Sequence, residues 1–325
     1  MARQNQQYVV GVDLGGTKIL AGVFDAQLNL IGKAKKSTKA KRGVDAVVER
    51  IARCVFDAID ECDLQPAQLR GVGIGAPGAT DPETGRVIFA PNLQWRDVPL
   101  KSALEKLLKV PVFAENDCNI QALGVHEKEL QGRPRHLVGI FLGTGIGAGI
   151  IINGDLYSGF NRTAGEIGHM VLELKGPRCG CGNAGCFEAL AGRSGITRRL
   201  KRALKDGQKT VLTAMLGSSL KNLRSGDLRK AIKRGDKLVQ KVIKDAAVYT
   251  GIAVGNVINL LNPEVVVLGG GMMQALGDQM FPVIEQKARQ YAMGGVDKGI
   301  RILATKLGDD AGITGGAVLA LRGTA

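Results

Sequence analysis

The chain has 325 residues and a hydrophobic content of 45%, enough for two domains of ordinary size with large cores. No apolar run approaches the roughly 20 residues of a membrane span, and the polar residues 1–7 do not resemble a signal peptide. The formal charge is +14, but aromatic residues are only 4% of the chain, so stacking platforms for single-stranded nucleic acid are scarce. We therefore expect a cytoplasmic protein that binds neither membrane nor nucleic acid, and whose basic field attracts anionic substrates.

The first predicted element is a hairpin, with strands at residues 8–13 and 19–24 joined by Leu14-Gly15-Gly16-Thr17-Lys18. Glycines in such a turn let backbone N–H groups approach a phosphate, and the hydroxyl of Thr17 adds a donor. Asp13, at the end of the first strand, is well placed to hold Mg²⁺ through water. A plain Gly-Gly hairpin without a ligand is the alternative interpretation.

The next segment contains an amphipathic helix at residues 45–62, and residues 69–78 then predict a strand that runs into a tight Gly-Pro loop. In the loop that follows, Asn92 is either a ligand of a sugar hydroxyl or a turn residue. The apolar run at residues 110–114 then predicts a short buried strand.

This strand ends on Glu115-Asn116-Asp117, and ligands of open α/β sheets bind at the edge where such strands end. We interpret Asp117 as the general base of a kinase. The alternative is that Asn116 and Asp117 merely cap the helix that begins near Asn119.

The opening pattern returns at an offset of 128 residues. Val9-Val10-Gly11-Val12 aligns with Leu137-Val138-Gly139-Ile140, and Gly15 then falls on the first glycine of Gly143-Thr144-Gly145. We predict an internal duplication in which two glycine turns grip a polyphosphate from both sides. A dinucleotide fingerprint is formally present here, but it requires a helix next, whereas residues 150–154 indicate strand and turn; the P-loop pattern is absent.

Three of the six cysteines, Cys179, Cys181 and Cys186, lie within eight residues of one another among glycines. With His169 they supply three thiolates and one imidazole, which is a closed tetrahedral Zn²⁺ set. A disulfide would leave one of the three unpaired and would need an oxidising compartment. The remaining cysteines are interpreted as ordinary buried thiols: Cys54, Cys62 and Cys118.

Toward the C-terminus, residues 239–261 predict a long helix and residues 264–268 a buried strand. This strand opens into Gly269-Gly270-Gly271, a third glycine turn that suits the close approach of a nucleoside. Residues 311–321 predict a closing helix.

Six of these stretches together resemble the ROK family of sugar kinases, and especially its bacterial ATP-dependent glucokinases. The resemblance covers nearly the whole chain. Each stretch alone is weak evidence, but all six in order are highly specific. They are Asp13-Leu-Gly-Gly-Thr-Lys18, Glu115-Asn-Asp-Cys-Asn119, Gly143-Thr-Gly-Ile-Gly-Ala-Gly149, Glu166-Ile-Gly-His169, Cys179/Cys181/Cys186 with Glu188, and Leu268-Gly-Gly-Gly271.

The resemblance implies an α/β, actin-like (ribonuclease H-like) ATPase fold, duplicated, in two domains with a cleft between them. The smaller domain is expected at residues 1–117, with a C-terminal helix at 311–323 packing back on it. The larger domain is expected at residues 118–310 and carries the zinc loop. Family analogy also implies a homodimer or homotetramer.

The resemblance further implies transfer of phosphate from ATP, with Mg²⁺, to the 6-hydroxyl of D-glucose, the proton being taken by Asp117. One ring nitrogen of His169 is expected on structural zinc and the other on the sugar. The sugar hydroxyls are expected on Asn92, Asn116, Glu166, His169 and Glu188. The nucleotide is expected on Asp13, Gly15, Gly16, Thr17, Lys18, Gly143, Thr144, Gly145, Gly269, Gly270 and Gly271.

Other readings within this family remain. Its sugar-responsive repressors carry a winged helix ahead of the kinase core, which we do not expect, since seven residues precede the first strand. A non-catalytic sugar sensor would lack the base or a phosphate turn. Mannose, fructose, N-acetylmannosamine or N-acetylglucosamine could replace glucose. A polyphosphate donor is not expected, because the first turn reads Gly-Gly-Thr-Lys and lacks the variant associated with that donor.

Overall fold

The computed structural model describes residues 7–325, and in that range the chain forms both strands and helices. The strands are β1 (Tyr8–Leu14), β2 (Lys18–Phe24), β3 (Leu30–Ser37), β4 (Leu69–Ala76), β5 (Ala79–Asp81), β6 (Arg86–Ala90), β7 (Trp95–Val98), β8 (Val112–Asn116), β9 (Leu137–Leu142), β10 (Ile146–Ile152), β11 (Asp155–Leu156), β12 (Val265–Gly269) and β13 (Arg301–Ala304). The helices are α1 (Val44–Asp60), α2 (Leu100–Leu108), α3 (Asp117–Gly124), α4 (Phe187–Ala191), α5 (Arg193–Lys205), α6 (Leu212–Leu216), α7 (Ser225–Lys233), α8 (Lys237–Leu261), α9 (Gly270–Tyr291) and α10 (Asp310–Gly323). Short 3-10 turns lie at Ala40–Arg42, Pro66–Gln68, Pro91–Leu93 and Ile167–His169, and a π turn at Val125–Glu129.

The first sheet has the order β3-β2-β1-β4-β8. Strands β1 and β2 pair antiparallel from Val9↔Phe24 to Leu14↔Ile19, which confirms the predicted glycine hairpin. Strand β4 lies parallel to both β1 and β8. Because the ends of parallel strands meet at one edge, Asp13 and the segment that follows β8 lie at the same edge of this sheet.

The second sheet has the order β11-β10-β9-β12-β13, which repeats the first sheet strand for strand. Strand β12 lies parallel to both β9 and β13, as β4 lies parallel to β1 and β8. A strand, β10, directly follows the second glycine turn, as expected, and not the helix that a dinucleotide fingerprint needs. The predicted internal duplication is therefore confirmed by the topology.

A small antiparallel sheet, β5-β6-β7, was not predicted. The 3-10 turn Pro91–Leu93 joins β6 to β7 and carries Asn92. Pro91 at the first position of this turn has the fixed φ that such a turn requires.

The chain divides into two compact units. The first contains residues 7–135, 149–164 and 309–325, and the second contains residues 136–148 and 165–308. Strand β10 spans the chain boundary between residues 148 and 149, so its first residues belong to the second unit and its last residues to the first. The division into functional domains at 1–117 with 311–323, and 118–310, stays a prediction.

The core of the first unit lies on both faces of its sheet. On one face β1, β2 and β4 pack against α1 and α2 through residues such as Val12, Ile51 and Leu104. On the other face α10 contributes Ile313 and Ala317, which pack against Val9 and other residues of β1 and β2. No helix in residues 7–325 has both the length and the hydropathy needed to cross a bilayer.

Two predicted elements differ from the structure. Strand β8 covers Val112–Asn116 rather than residues 110–114, since its pairing with β4 begins at Val72↔Val112 and continues to Ala76↔Asn116. The third glycine run is not an isolated turn, because Gly270 begins the 22-residue helix α9. That helix escaped prediction because it starts with glycines and contains Pro282, residues that usually break helices.

Candidate active site

The segment after β8 separates the two interpretations of Asn116 and Asp117. The side-chain oxygen of Asn116 accepts hydrogen bonds from the N–H groups of Cys118 at 2.8 Å and Asn119 at 3.1 Å, so Asn116 is the helix cap. Asp117 is the first residue of α3, and its Oδ1 accepts a bond from the N–H of Cys118 at 2.9 Å. The helix dipole favours a carboxylate at this position. Capping therefore does not require Asp117.

Glu115 supports this segment from inside the sheet. It is 4% exposed, and its Oε1 accepts hydrogen bonds from the N–H of Asn116 at 2.7 Å and from Nδ2 of Asn119 at 3.0 Å. Burial raises the pKa of the Glu115 carboxyl above its ordinary range. Nδ2 of Asn116 in turn donates to the carbonyl of Gly78 at 3.0 Å. The side chains before Asp117 are thus held from several directions.

The first glycine turn is closed by its own backbone and by one buried threonine. The N–H of Gly15 donates to the carbonyl of Lys18 at 2.9 Å, and Oγ1 of Thr38 donates to the carbonyl of Gly15 at 2.6 Å. Thr38, which is fully buried, was missed in the sequence because it lies in a basic stretch without an apolar pattern. A Cβ on Gly16 would lie 3.6 Å from Cβ of Asn92, so Asn92 lies beside this turn.

Asp13 and Lys18 flank the turn but have different surroundings. Nζ of Lys18 forms an ion pair with Asp309, 2.5 Å from its Oδ2. Asp13 lies half-buried at the end of β1, facing the start of α10, where a Cβ on Gly312 would come within 2.9 Å of its Cβ. Desolvation raises the pKa of Asp13 to about 6, although the charge of Lys18 acts in the opposite direction.

The raised pKa of Asp13 predicts that this carboxylate destabilises the ligand-free protein at neutral pH. The shift from 3.8 to about 6 means that the folded state holds the proton more tightly, so stability falls as pH rises through 6. Above pH 6 the ionised carboxylate lowers the free energy of unfolding by about 3 kcal/mol at most. This is an upper limit because solvent still reaches part of the side chain. Asp13→Asn should therefore raise the free energy of unfolding at pH 7.5, measured by urea denaturation, and the gain should shrink toward pH 4. An Asn variant less stable than wild type at pH 7.5 would contradict this.

In the second unit, the glycine turn Gly143-Thr144-Gly145 is held by the start of α5. The N–H of Arg193 donates to the carbonyl of Gly143, and the N–H of Ser194 donates to the carbonyl of Thr144, both at 3.1 Å. The side chain of Arg193 also donates from Nη2 to Oγ1 of Thr144. Arg193 was missed in the sequence analysis, because no local pattern connects it to a turn 49 positions earlier in the chain.

Glu188 connects this turn to the cysteine cluster. Its Oε2 accepts a hydrogen bond from the N–H of Ile146 at 3.0 Å, and its Oε1 lies 3.9 Å from Sγ of Cys179. A Cβ on Gly145 would collide with the carboxylate of Glu188, so only glycine allows this approach. Glu188 lies in the first turn of α4, a helix that begins directly after Cys186.

The four predicted metal ligands are brought together, with their ligand atoms within 4.8 Å of one another, and the group could hold a metal ion: His169, Cys179, Cys181 and Cys186. Sγ of Cys179 lies 3.6 Å from Nδ1 of His169, and the sulfurs of Cys181 and Cys186 are 3.7 Å apart, too far for a disulfide. Three sulfurs and one imidazole nitrogen form a donor set typical of a closed tetrahedral site. Gly185, with φ +74, lets the loop turn back against the carbonyl of Glu173.

The two ring nitrogens of His169 face different groups. Nδ1 points to Cys179 in the cluster, and Nε2 lies 3.8 Å from Oε2 of Glu166. One imidazole therefore connects the cysteine cluster to a carboxylate outside it.

The third glycine run lies at the end of β12. Gly270 has φ +87 and begins α9, and the space around the Cα of Gly271 is open. The N-terminus of a long helix presents backbone N–H groups that suit a polar or anionic ligand.

The predicted site residues are thus divided between the two units. In the first unit they are Asp13, Gly15, Gly16, Thr17, Lys18, Asn92, Asn116 and Asp117. In the second unit they are Gly143, Thr144, Gly145, Glu166, His169, Cys179, Cys181, Cys186, Glu188, Gly269, Gly270 and Gly271.

Comparisons with known proteins identify similar proteins over nearly the whole chain. A sequence model described as the ROK family matches residues 9–323. A glucokinase of Halalkalibacterium halodurans is 35% identical over 97% of this chain and 95% of its own length. The crystal structure of a ROK family glucokinase from Streptomyces griseus, in complex with glucose and AMPPNP, has a TM-score of 0.85 at 31% identity and covers 97% of this chain and 99% of that one. A xylose repressor of Caldicellulosiruptor bescii is 29% identical over 94% of this chain and 76% of its own length.

Proposed function

Since the chain belongs to the ROK family and has its actin-like ATPase fold, we propose that it is a glucokinase, which transfers the γ-phosphoryl group of ATP to the 6-hydroxyl of D-glucose. The observation that carries the proposal is the full-length likeness to glucokinases, one of them solved with glucose and an ATP analogue.

Asp117 is the proposed general base. Its carboxylate takes the proton of the 6-hydroxyl while that oxygen bonds to the γ-phosphorus and the bond from phosphorus to ADP breaks. Little covalent chemistry falls to the protein in such transfers, so positioning dominates. Asn116 and the buried Glu115 position Asp117, because they hold the start of α3. Asn116 does so through the capping bonds, and Glu115 through its bond to Asn119.

Five residues are proposed to hold the other sugar hydroxyls. Glu166 and Glu188 offer carboxylate acceptors, and Nε2 of His169 offers a ring nitrogen on the side away from the cysteines. Neutral and charged acceptors of this kind suit a polyhydroxyl ligand, because an unmatched hydroxyl is costly to desolvate. The five residues are Asn92, Asn116, Glu166, His169 and Glu188.

The three glycine runs are proposed to hold ATP. The turns at Gly15-Gly16-Thr17 and Gly143-Thr144-Gly145 would bind phosphates, and Gly269-Gly270-Gly271 would lie near the nucleoside. Asp13 would hold Mg²⁺ through water, and Mg²⁺, when bound, neutralises phosphate charge during transfer. Lys18 is proposed to contribute as part of the first turn, from its position in the ion pair with Asp309.

The cluster of His169 and three cysteines is proposed to hold structural Zn²⁺. Its four donors match the coordination of closed zinc sites, which contribute directly to folding. The metal would stiffen the loop that carries Glu166 and His169, and would fix the start of α4 with Glu188. A cytoplasmic location, a homodimer or homotetramer, and the absence of nucleic-acid binding stay predictions.

A coupled assay of ADP release over a panel of sugars tests the activity. With ATP and Mg²⁺, D-glucose should give the highest kcat/KM, and the product should be glucose 6-phosphate. A higher kcat/KM for mannose, fructose or an acetamido sugar would contradict glucose as the substrate but leave a ROK kinase. Sugar binding without ADP release would instead favour a sugar sensor, as the likeness to a xylose repressor allows.

A further inference from the structure

One charged side chain beside the second glycine turn lacks an acidic partner. Arg193 is half-buried at the first position of α5, and it donates from Nη2 to Oγ1 of Thr144 and from Nη1 to Oγ of Ser225 at 3.5 Å. Both acceptors are neutral hydroxyls. In residues 7–325 no carboxylate lies within ion-pair distance of Arg193, whereas Arg86 and Arg199 each pair with an aspartate.

A half-buried guanidinium without a counter-charge is unfavourable unless an anion joins it. Burial lowers the pKa of Arg193, and the nearby charge of Arg224 lowers it further. Arg193 thus places one positive charge beside Gly143-Thr144-Gly145, and Arg224 places a second one near Arg193. This charge distribution suits a ligand that carries several negative charges.

The turn itself presents donors rather than acceptors. The carbonyls of Gly143 and Thr144 already accept bonds from the N–H groups of Arg193 and Ser194. Within residues 7–325 the N–H groups of Thr144 and Gly145 donate to no other group. Because Oγ1 of Thr144 accepts a bond from Arg193, its own O–H is directed away from the guanidinium and can donate to a ligand.

We propose that Arg193 is a positioning residue for the phosphates of the nucleotide donor. It orients the hydroxyl of Thr144 and places a positive charge beside the turn, so that the turn discriminates nucleotides by the number of their phosphates. This inference rests on the proposed function, in which Gly143-Thr144-Gly145 binds the phosphates of ATP.

Calorimetric titration of ADP, AMP and adenosine into wild type and Arg193→Met tests the inference. Loss of one charge-assisted contact should weaken ADP binding about 10- to 100-fold, while the adenosine Kd stays within about twofold of wild type. KM for ATP should rise while KM for the sugar is unchanged. Arg193→Lys should recover part of the ADP affinity, because it retains charge without the forked geometry.

A double-mutant cycle with Thr144→Val tests whether Arg193 acts through the hydroxyl of Thr144 or only supports the fold. If Arg193 acts through Thr144, the two substitutions together should weaken ADP binding by less than the product of their single effects. The matched control is Arg198→Met, an exposed arginine of the same helix, which should bind ADP as wild type does. If Arg193→Met fails to fold, the same nucleotide titrations can be made with Thr144→Val and Arg193→Lys.

Equal weakening of ADP, AMP and adenosine by Arg193→Met would mean that the residue only supports the fold, and would overturn the inference. Unchanged ADP affinity in that variant would overturn it as well. Wild-type protein that binds no nucleotide would instead refute the proposed function, together with the inference that rests on it.

Discussion

The Asp117→Asn variant is expected to lose a factor on the order of 10²–10⁴ in kcat, the usual range for removal of a general base. Asparagine keeps the size of the side chain, and its Oδ1 can still accept the bond from the N–H of Cys118, but it cannot take the proton of the 6-hydroxyl. KM for glucose and the melting temperature should change little, since positioning contacts remain. Steady-state kinetics and thermal unfolding measure these quantities.

Asn116→Ala is the matched comparison for this prediction. It removes the cap of α3 and the bond to the carbonyl of Gly78, so it should destabilise the protein by about 0.5–2 kcal/mol. The two neighbouring substitutions should therefore differ. Asp117→Asn should lower kcat with little change in stability, whereas Asn116→Ala should lower the melting temperature and, because Asn116 is also a proposed sugar ligand, raise KM for glucose. An Asp117→Asn enzyme with kcat within a few-fold of wild type would leave the proposed mechanism without a base.

Purified protein is expected to contain about one Zn²⁺ per chain, measured by elemental analysis. Cys181→Ala removes one of four ligands, so zinc content should fall sharply. Activity should fall with it, by about 10- to 100-fold or more. The coupling is expected because Cys179 lies near Glu188, and His169 lies near Glu166, so loss of the metal frees the proposed sugar ligands.

Cys62→Ala is the control for a simple loss of a thiol. Cys62 is half-buried just after α1, in the other unit, and its Sγ lies 3.4 Å from the carbonyl of Ala58. Zinc content and activity of this variant should match wild type. Metal-free wild-type protein with full activity would refute the structural role of zinc.

Elements with local sequence signals could be predicted before the structure was known. The glycine turn at Gly15 and its repeat at Gly143 were recognised because a run of glycines directly after an apolar strand is a pattern of adjacent residues that the sequence shows without any tertiary contact. The helices near residues 45–62 and 239–261 were recognised from their periodicity and length, and they occur with only small shifts at their ends. The four predicted metal ligands also followed from spacing alone, and they converge in the structure.

Roles that depend on contacts between residues distant in the chain could be assigned only from the packed structure. Sequence alone could not assign the cap to Asn116 rather than Asp117, because both residue types cap helices and only the backbone path selects one. Thr38, directly after β3, donates to the carbonyl of Gly15 from 23 positions away, and Arg193 reaches Thr144 from 49 positions away. Such contacts leave no local pattern, since their energy comes from burial and hydrogen bonds that exist only after the strands and helices have packed.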